Sequence, residues 1–266
     1  MDVGCNTYSL SRLPRQAVFT ELRALGFSLV ELWTGHASYL KGDVDPAAVA
    51  AEAHAAGLGL RAYCIGGLFG LPLPLVEERL RGAFQFARAL GVDLVTGIVD
   101  RSAVGAADAA CQRYGMRFAI ENHWYAEFAR PDDYRAALRS ASPAVGVNID
   151  TGHFAFLGCD LEQAARALGA RTMNVHLKVV RRPGRLEVLR RRFQRRYRME
   201  AALPRPGDGL DRFVATLAET GYRGMLAVEH ESPSAEADLA VYHARAIELV
   251  GRRASRLELV QGEAHA

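Results

Sequence analysis

The chain has 266 residues, 50% hydrophobic and 24% charged, with a formal net charge of +3, a composition that fits a folded globular protein and excludes a disordered or fibrous one. It has no apolar run near the roughly 20 residues of a membrane-spanning helix, and its opening, MDVGCNTYSL, has no basic stretch followed by an apolar one, so neither a membrane segment nor a secretory leader is expected. The positive charge is local: positions 181–199 hold nine arginines and one acid, a net of +8, which by difference from +3 leaves the remainder at −5.

The first strand is expected in VGCNTYSL. A helical pattern over about 15–25 then stops at Gly26, and an apolar run, FSLVEL, follows. The same succession returns along the chain: a helix over 46–56, Gly57 and LGLRAYC; a helix over 75–90, Gly91 and VDLVTGIV; a short helix over 103–114, Gly115 and MRFAIEN. A helix over 132–141 stops at Pro143 before AVGVNIDTGH, whose strand-like character continues to His153. Helices over 160–168 and 209–220 stop at Gly169 and Gly221, before ARTMNVHL and YRGMLAVEH, and a last helix covers 234–252. Glycine suits these junctions because a left-handed residue ends many helices and only glycine adopts that conformation cheaply.

Eight strands alternating with eight helices imply parallel strands joined by right-handed crossovers. In some 250 residues that is the inventory of a (β/α)8 TIM barrel, an α/β fold of one domain over 1–252, with an Arg-rich insertion at about 181–205 and a tail at 253–266. A doubly wound open sheet is the rival, but no Gly-rich phosphate loop follows the first strand.

Barrel chemistry gathers at the C-terminal ends of the strands. In order these ends are Ser9, Glu31, Ile65, Val99, Glu121, Asp150, His176 and Glu229. The fifth to eighth strands each place one metal-capable side chain after an apolar run, on the inward phase of the alternation. Three carboxylates in a low-dielectric mouth repel one another, and one divalent cation resolves that repulsion. Three carboxylates and one imidazole form an oxygen-rich set that favours Mn²⁺, Mg²⁺ or Co²⁺, with Zn²⁺ also admissible. Lys178 shares the inward face of His176 and could hold a substrate carboxylate or hydroxyl. His123 and Trp124 follow Glu121 and could line a pocket, and Trp33, His36 and Tyr8 could supply aromatic walls for a sugar. Glu31 is open between orienting a ligand and a structural role. His54 and His243 are expected on the surface, and His230 points away from Glu229.

The segments IENH, NIDTGH, NVHLK and GDGLD…GYRGMLAVEHE, with NTYSL and ALGFSLVELW near the start, resemble the xylose isomerase-like TIM-barrel superfamily of sugar phosphate isomerases and epimerases, which is related to apurinic endonuclease family 2. The resemblance implies that Glu121, Asp150, His176 and Glu229 bind one divalent metal, and that Glu121 and Glu229 also exchange a substrate proton from opposite sides. It implies that His153 binds a substrate hydroxyl and that Glu127, six residues after Glu121, contacts substrate. The expected function is therefore a metal-dependent sugar isomerase or epimerase working through an enediolate, on a sugar-like substrate that could be phosphorylated or acidic.

Three rivals stand beside it: a DNA phosphodiesterase like the apurinic endonucleases, a sugar or cyclitol dehydratase, and a non-catalytic sugar-binding barrel. The arginine run RRPGRLEVLRRRFQRRYRME could neutralise phosphates, but the third strand ends RAYCIGG without a histidine and no D-x-H follows His176, so the endonuclease's three-metal cluster looks incomplete and a nucleic-acid partner is not expected. Cys5, Cys64, Cys111 and Cys159 lack CxxC spacing and read as free thiols of a cytoplasmic protein. A homo-oligomer is left open.

Overall fold

In the computed structural model, which describes residues 1–181, 199–232 and 235–263, eight parallel strands close into one barrel in chain order. They are β1 (Asp2–Asn6), β2 (Leu29–Trp33), β3 (Gly59–Gly67), β4 (Leu94–Ile98), β5 (Arg117–Glu121), β6 (Val145–Asp150), β7 (Thr172–Leu177) and β8 (Met225–Val228). Closure comes from β8 against β1, with Asp2 opposite Met225 and Cys5 opposite Val228. The helices are α1 (Arg15–Ala24), α2 (Pro46–Ala55), α3 (Leu73–Ala89), α4 (Val104–Tyr114), α5 (Pro131–Ala137), α6 (Thr151–Phe156), α7 (Leu161–Leu168), α8 (Leu210–Glu219) and α9 (Ala235–Glu263). This is the expected (β/α)8 TIM barrel.

The alternation in the strands divides the molecule into two environments. Val30, Leu32, Phe118, Ile120, Val147, Ile149 and Val175 join residues such as Phe19, Leu22, Phe84 and Phe213 of the helices in one large apolar layer. The opposite phase fills the barrel, and its apolar part is small: Ala62, Leu94 and Ala119, with Met173 packed against them. Above them the inward positions are Glu31, Thr96, Asn148, Asp150, Asn174 and His176, all at 0–1% exposure. The helix–sheet layer carries the hydrophobic stabilisation, which frees the upper barrel interior to be polar.

Local chemistry explains where the elements depart from expectation. Asp150 ends β6 by accepting a hydrogen bond from the His153 amide at 2.9 Å, so the chain turns into α6 and His153 lies on a helix rather than on a strand. Asn6 does the same after β1, its Oδ1 accepting from the Tyr8 amide at 2.9 Å, so Ser9 sits in a 3₁₀ turn and Asn6 is the residue at the strand end. Glu31 lies in the middle of β2. Gly26, Gly57, Gly91, Gly115 and Gly221 have positive φ, as their helix-ending role requires, but Gly169 does not. A Cβ at Gly169 would lie 2.3 Å from the Cβ of Thr220, so contact between two chain segments selects glycine there. The last helix continues past the expected boundary at 252. The chain enters the Arg-rich insertion beside where it leaves it, Val180 bridging Ala201 in antiparallel fashion; the amphipathic arginine run at 182–198 lies outside the described residues. The four cysteines are free.

Gly146 of β6 tests the packing at the base of the barrel. A Cβ there would lie 2.4 Å from the Arg171 carbonyl oxygen and 2.7 Å from Met173 Cγ, and the backbone atom cannot step aside. Gly146→Ala is expected to cost about 1–3 kcal/mol and to lower the melting temperature by roughly 3–10 °C. Gly105→Ala on α4, where nothing lies within 4 Å of the added carbon, is the control and should leave it unchanged or slightly raised. Differential scanning calorimetry of the two variants checks this.

Candidate metal centre

The register that closes the barrel also assembles a centre at its mouth. Asp150 pairs with His176 across β6 and β7, and Glu121 pairs with Asn148 across β5 and β6. Glu229 directly follows β8. One potential ligand atom from each of Glu121, Asp150, His176 and Glu229 lies within 4.8 Å of all the others. His176 Nδ1 is 3.0 Å from Glu229 Oε2 and 3.6 Å from Glu121 Oε1. Asp150 and His176 are fully buried, while Glu229 and Glu121 keep 5% and 6% exposure.

Each of these groups is held by a neutral or charged neighbour. The other ring nitrogen of His176, Nε2, is 2.7 Å from Glu31 Oε2; donating there leaves the Nδ1 lone pair facing the cluster, the usual way a carboxylate fixes a metal-binding tautomer. Glu31 is itself held by the Thr96 hydroxyl and by Asn174 Nδ2 at 3.1 Å. Asn174 also donates to Asn148 at 3.2 Å, and Asn148 Nδ2 lies 3.0 Å from His176 Nε2. Asn6 donates to Glu229 Oε2 at 3.0 Å. Asn122 clamps the backbone of Asp150 at both its amide and its carbonyl, at 2.8 and 2.9 Å, which locks the ends of β5 and β6 together.

The electrostatics show what this arrangement does to protons. Burial pushes Glu121 up to about 7, against the pull of His176, and it also raises Asp150 despite Lys178 beside it. Burial works against ionised Glu229 as well, but Lys178 and His176 outweigh it and hold that carboxyl well below the usual range. Burial disfavours charge on His176, yet Glu31, Glu229 and Glu121 together raise it well above an ordinary histidine. Asp150 Oδ2 and His176 Nδ1 are buried without an aligned hydrogen bond. These two atoms, with a carboxylate oxygen from each glutamate, form a compact donor set of hard oxygens and one imidazole nitrogen that could hold a divalent ion.

Above the centre lies a cavity of about 700 Å³ that reaches Glu121 and Glu229 at its floor. Of the substrate-contact candidates, Trp33, His123, His153 and Lys178 line it, as do Tyr8 and Trp124. Tyr8 and Trp33 meet edge to face at 4.9 Å. The His123 and His153 rings pack at 3.8 Å with their planes tilted by 42°, and burial, followed by the Lys178 charge, lowers both, His123 to about 4. Their Nδ1 atoms are buried without partners. Glu127 is not brought to this cavity. It is exposed and accepts from the Arg101 amide at 2.7 Å, because the loop after β5 folds back through a His123 amide to Phe128 carbonyl bond. His230 turns away to Asp238 at 2.8 Å, His36 binds Thr7 at 3.0 Å, and His54 is exposed. His243 is half-buried against Phe27 rather than on the surface. Among residues the sequence did not single out, Asn6, Asn122, Asn148, Asn174 and Glu231 all contact the centre's groups directly or through one partner; Asn148 and Asn174 were detectable, each standing two residues before a ligand candidate on the same face.

Fold and centre together define a (β/α)8 barrel with an acid–imidazole cluster at the C-terminal mouth. The xylose isomerase-like TIM barrel family profile matches residues 19–249, and the chain belongs to that family. Among solved structures, an L-ribulose 3-epimerase is similar at 17% identity and TM-score 0.75, covering 98% of this chain and 98% of its own. The probable 3-DHS dehydratase AsbF of petrobactin synthesis from Bacillus anthracis has 14% identity and TM-score 0.73 over 92% of this chain and 98% of its own. The IOLI protein with a binding zinc atom has 16% identity and TM-score 0.72 over 95% and 99%. At these identities the likeness is one of fold. No curated protein matches the sequence.

The grip of Glu31 on His176 generates a prediction. Glu31→Gln removes the charged acceptor that fixes the imidazole, and Mn²⁺ affinity measured by titration calorimetry should fall about 10–100-fold, with the circular dichroism spectrum unchanged.

Proposed function

We propose that this protein is a divalent-metal-dependent isomerase or epimerase of a sugar or sugar-like substrate. The observation that carries the reading is the unequal burial of the four clustered groups: only Glu121 and Glu229 reach the cavity floor, while Asp150 and His176 lie wholly beneath it. Two acids at the surface can hold an ion and also touch substrate; two groups below can only hold. Glu121, Asp150, His176 and Glu229 would bind the ion, with Mn²⁺, Mg²⁺ or Co²⁺ best matched to three carboxylates and Zn²⁺ also compatible. Such an ion supplies the positive charge that draws in a carbonyl oxygen and its neighbouring hydroxyl and lowers the pKa of the C–H between them.

The chain's own groups divide the proton work. Glu229 and Glu121 open to the cavity from different strand ends, so one would take the substrate proton and the other would give one back. Return to the same carbon from the other face epimerises, and return to the adjacent carbon interconverts aldose and ketose. The neutral rings of His153 and His123 would meet substrate hydroxyls, and Trp33 and Tyr8 would cover an apolar sugar face. Loss of a hydroxyl from the same deprotonated substrate would instead be dehydration, and product analysis separates the two outcomes.

The test is exchange of the substrate α-proton into deuterated water, followed by NMR with keto sugars, sugar phosphates and inosose-like cyclitols in the presence of Mn²⁺. Exchange is expected with at least one of them, abolished by chelator. Glu229→Gln and Glu121→Gln should each reduce it by about 10³-fold or more while the fold is kept. Undiminished exchange in Glu229→Gln would remove that residue from the mechanism.

A further inference from the structure

Resting on the metal centre just proposed, we propose that Lys178 is an internal competitor of the divalent ion: the ammonium and the ion contend for Asp150 Oδ2 beside Glu229, so that Lys178 sets how tightly the ion is held. This assigns the side chain to the ion rather than to the substrate carboxylate or hydroxyl suggested by its place in the sequence.

Three observations converge on it. Lys178 is 4% exposed, and its Nζ lies 2.6 Å from Glu229 Oε1 and 3.1 Å from Asp150 Oδ2. Asp150 Oδ1 is taken by the His153 amide, so the ammonium and an ion both need Asp150 Oδ2, and like charges sharing one buried oxygen repel strongly. The tip also has somewhere else to go: Glu231 Oε1 is 2.6 Å away on a side chain that is 43% exposed at the cavity rim. The root, in contrast, is fixed. Thr151 Oγ1 accepts from the Lys178 amide at 2.9 Å and donates to its carbonyl at 2.7 Å. The stem runs over Gly152, where a Cβ would come within 2.7 Å of Lys178 Cγ and 2.8 Å of Cδ. Thr151 and Gly152, which flank the Asp150 candidate ligand, therefore serve the lysine: one pins its backbone and the other leaves room for its stem. A pinned root with a tip shared among three carboxylates is a cation able to yield the inner two and keep the outer one.

The test is a double-mutant cycle on Mn²⁺ affinity, read by titration calorimetry on the full chain with no substrate present. Lys178→Met is expected to bind Mn²⁺ about tenfold or more tightly than wild type, whereas a lysine that merely supports the fold would loosen the site when removed. Glu231→Gln takes away the outer partner and leaves the ammonium on Asp150 and Glu229, so affinity should weaken roughly threefold or more, and this effect should vanish in the Lys178→Met background. Equal or weaker affinity in Lys178→Met, or a Glu231→Gln effect of the same size in both backgrounds, would overturn the inference. If Lys178→Met does not fold, Lys178→Gln takes its place in the same cycle, and the same outcomes decide. Wild-type protein that binds no divalent ion would sink the metal centre together with this inference, whereas wild-type binding with an unresponsive Lys178 would sink the inference alone.

Discussion

Everything at the mouth of this barrel answers to one constraint, the concentration of negative charge out of contact with bulk water. Glu31, Glu121, Asp150 and Glu229 are all at or below 6% exposure, and two carboxylates about 4 Å apart repel by about 4 kcal/mol even at an effective dielectric of 20. Such a group of side chains persists only if cations and donors are built around it. Without an ion on its Nδ1, His176 supplies one positive end, lying against Glu31 on one edge and Glu229 and Glu121 on the other. Lys178 supplies the second, reaching Glu229 and Asp150. The amides of Asn6 and Asn174 and the hydroxyl of Thr96 fill in donors that carry no charge of their own. A divalent ion is the natural completion of such a set, since it offers two charges in the volume of one atom.

The fold makes this affordable by keeping stability and chemistry in different layers. The outward phase of each strand packs into the apolar shell shared with the helices, where burial contributes roughly 25 cal/mol for each Å² removed from water. The inward phase contributes little of that, because its apolar part is confined to Ala62, Leu94, Ala119 and Met173. Polar side chains above this plug cost desolvation but leave the shell intact. The clamps follow the same logic. Asn122 bonds the Asp150 backbone and Thr151 bonds the Lys178 backbone, so the strand ends are fixed through main-chain atoms and the charged tips remain available.

The parts legible in the sequence are those for which one residue type has one cheap role. Helix-ending glycines and alternating apolar runs marked all eight β/α units, and the metal candidates stood out because a carboxylate or imidazole closing an apolar run needs a partner. Asn148 and Asn174 carried the same inward phase, but asparagine is a common turn residue and bears no charge, so nothing in its chemistry demanded company. Asn6 was hidden because VGCNTYSL reads as one continuous run, and only the turn made by its own side chain shows where the strand stops. Glu127 shows the opposite case. Spacing along a loop fixes distance in the chain and not direction in space, and the loop after β5 directs its carboxylate to Arg101. Gly169 fits the helix-ending pattern but is selected by its contact with Thr220, a long-range cause that local sequence does not carry.

Floor and wall of the cavity then differ in what they decide. The floor comes from strand ends locked by register, so its two glutamates are placed by the barrel itself. The wall comes from turns and loops: Tyr8 from the turn after β1, His123 and Trp124 from the loop after β5, His153 from the first turn of α6. Its imidazoles are held neutral by burial and by the Lys178 charge, so they meet hydroxyls as hydrogen-bond partners and cannot neutralise an anion. Lys178 is already shared among three carboxylates. The described wall thus offers ring faces and neutral imidazoles set by its turns and loops, whereas the charge of the floor is set by strand register.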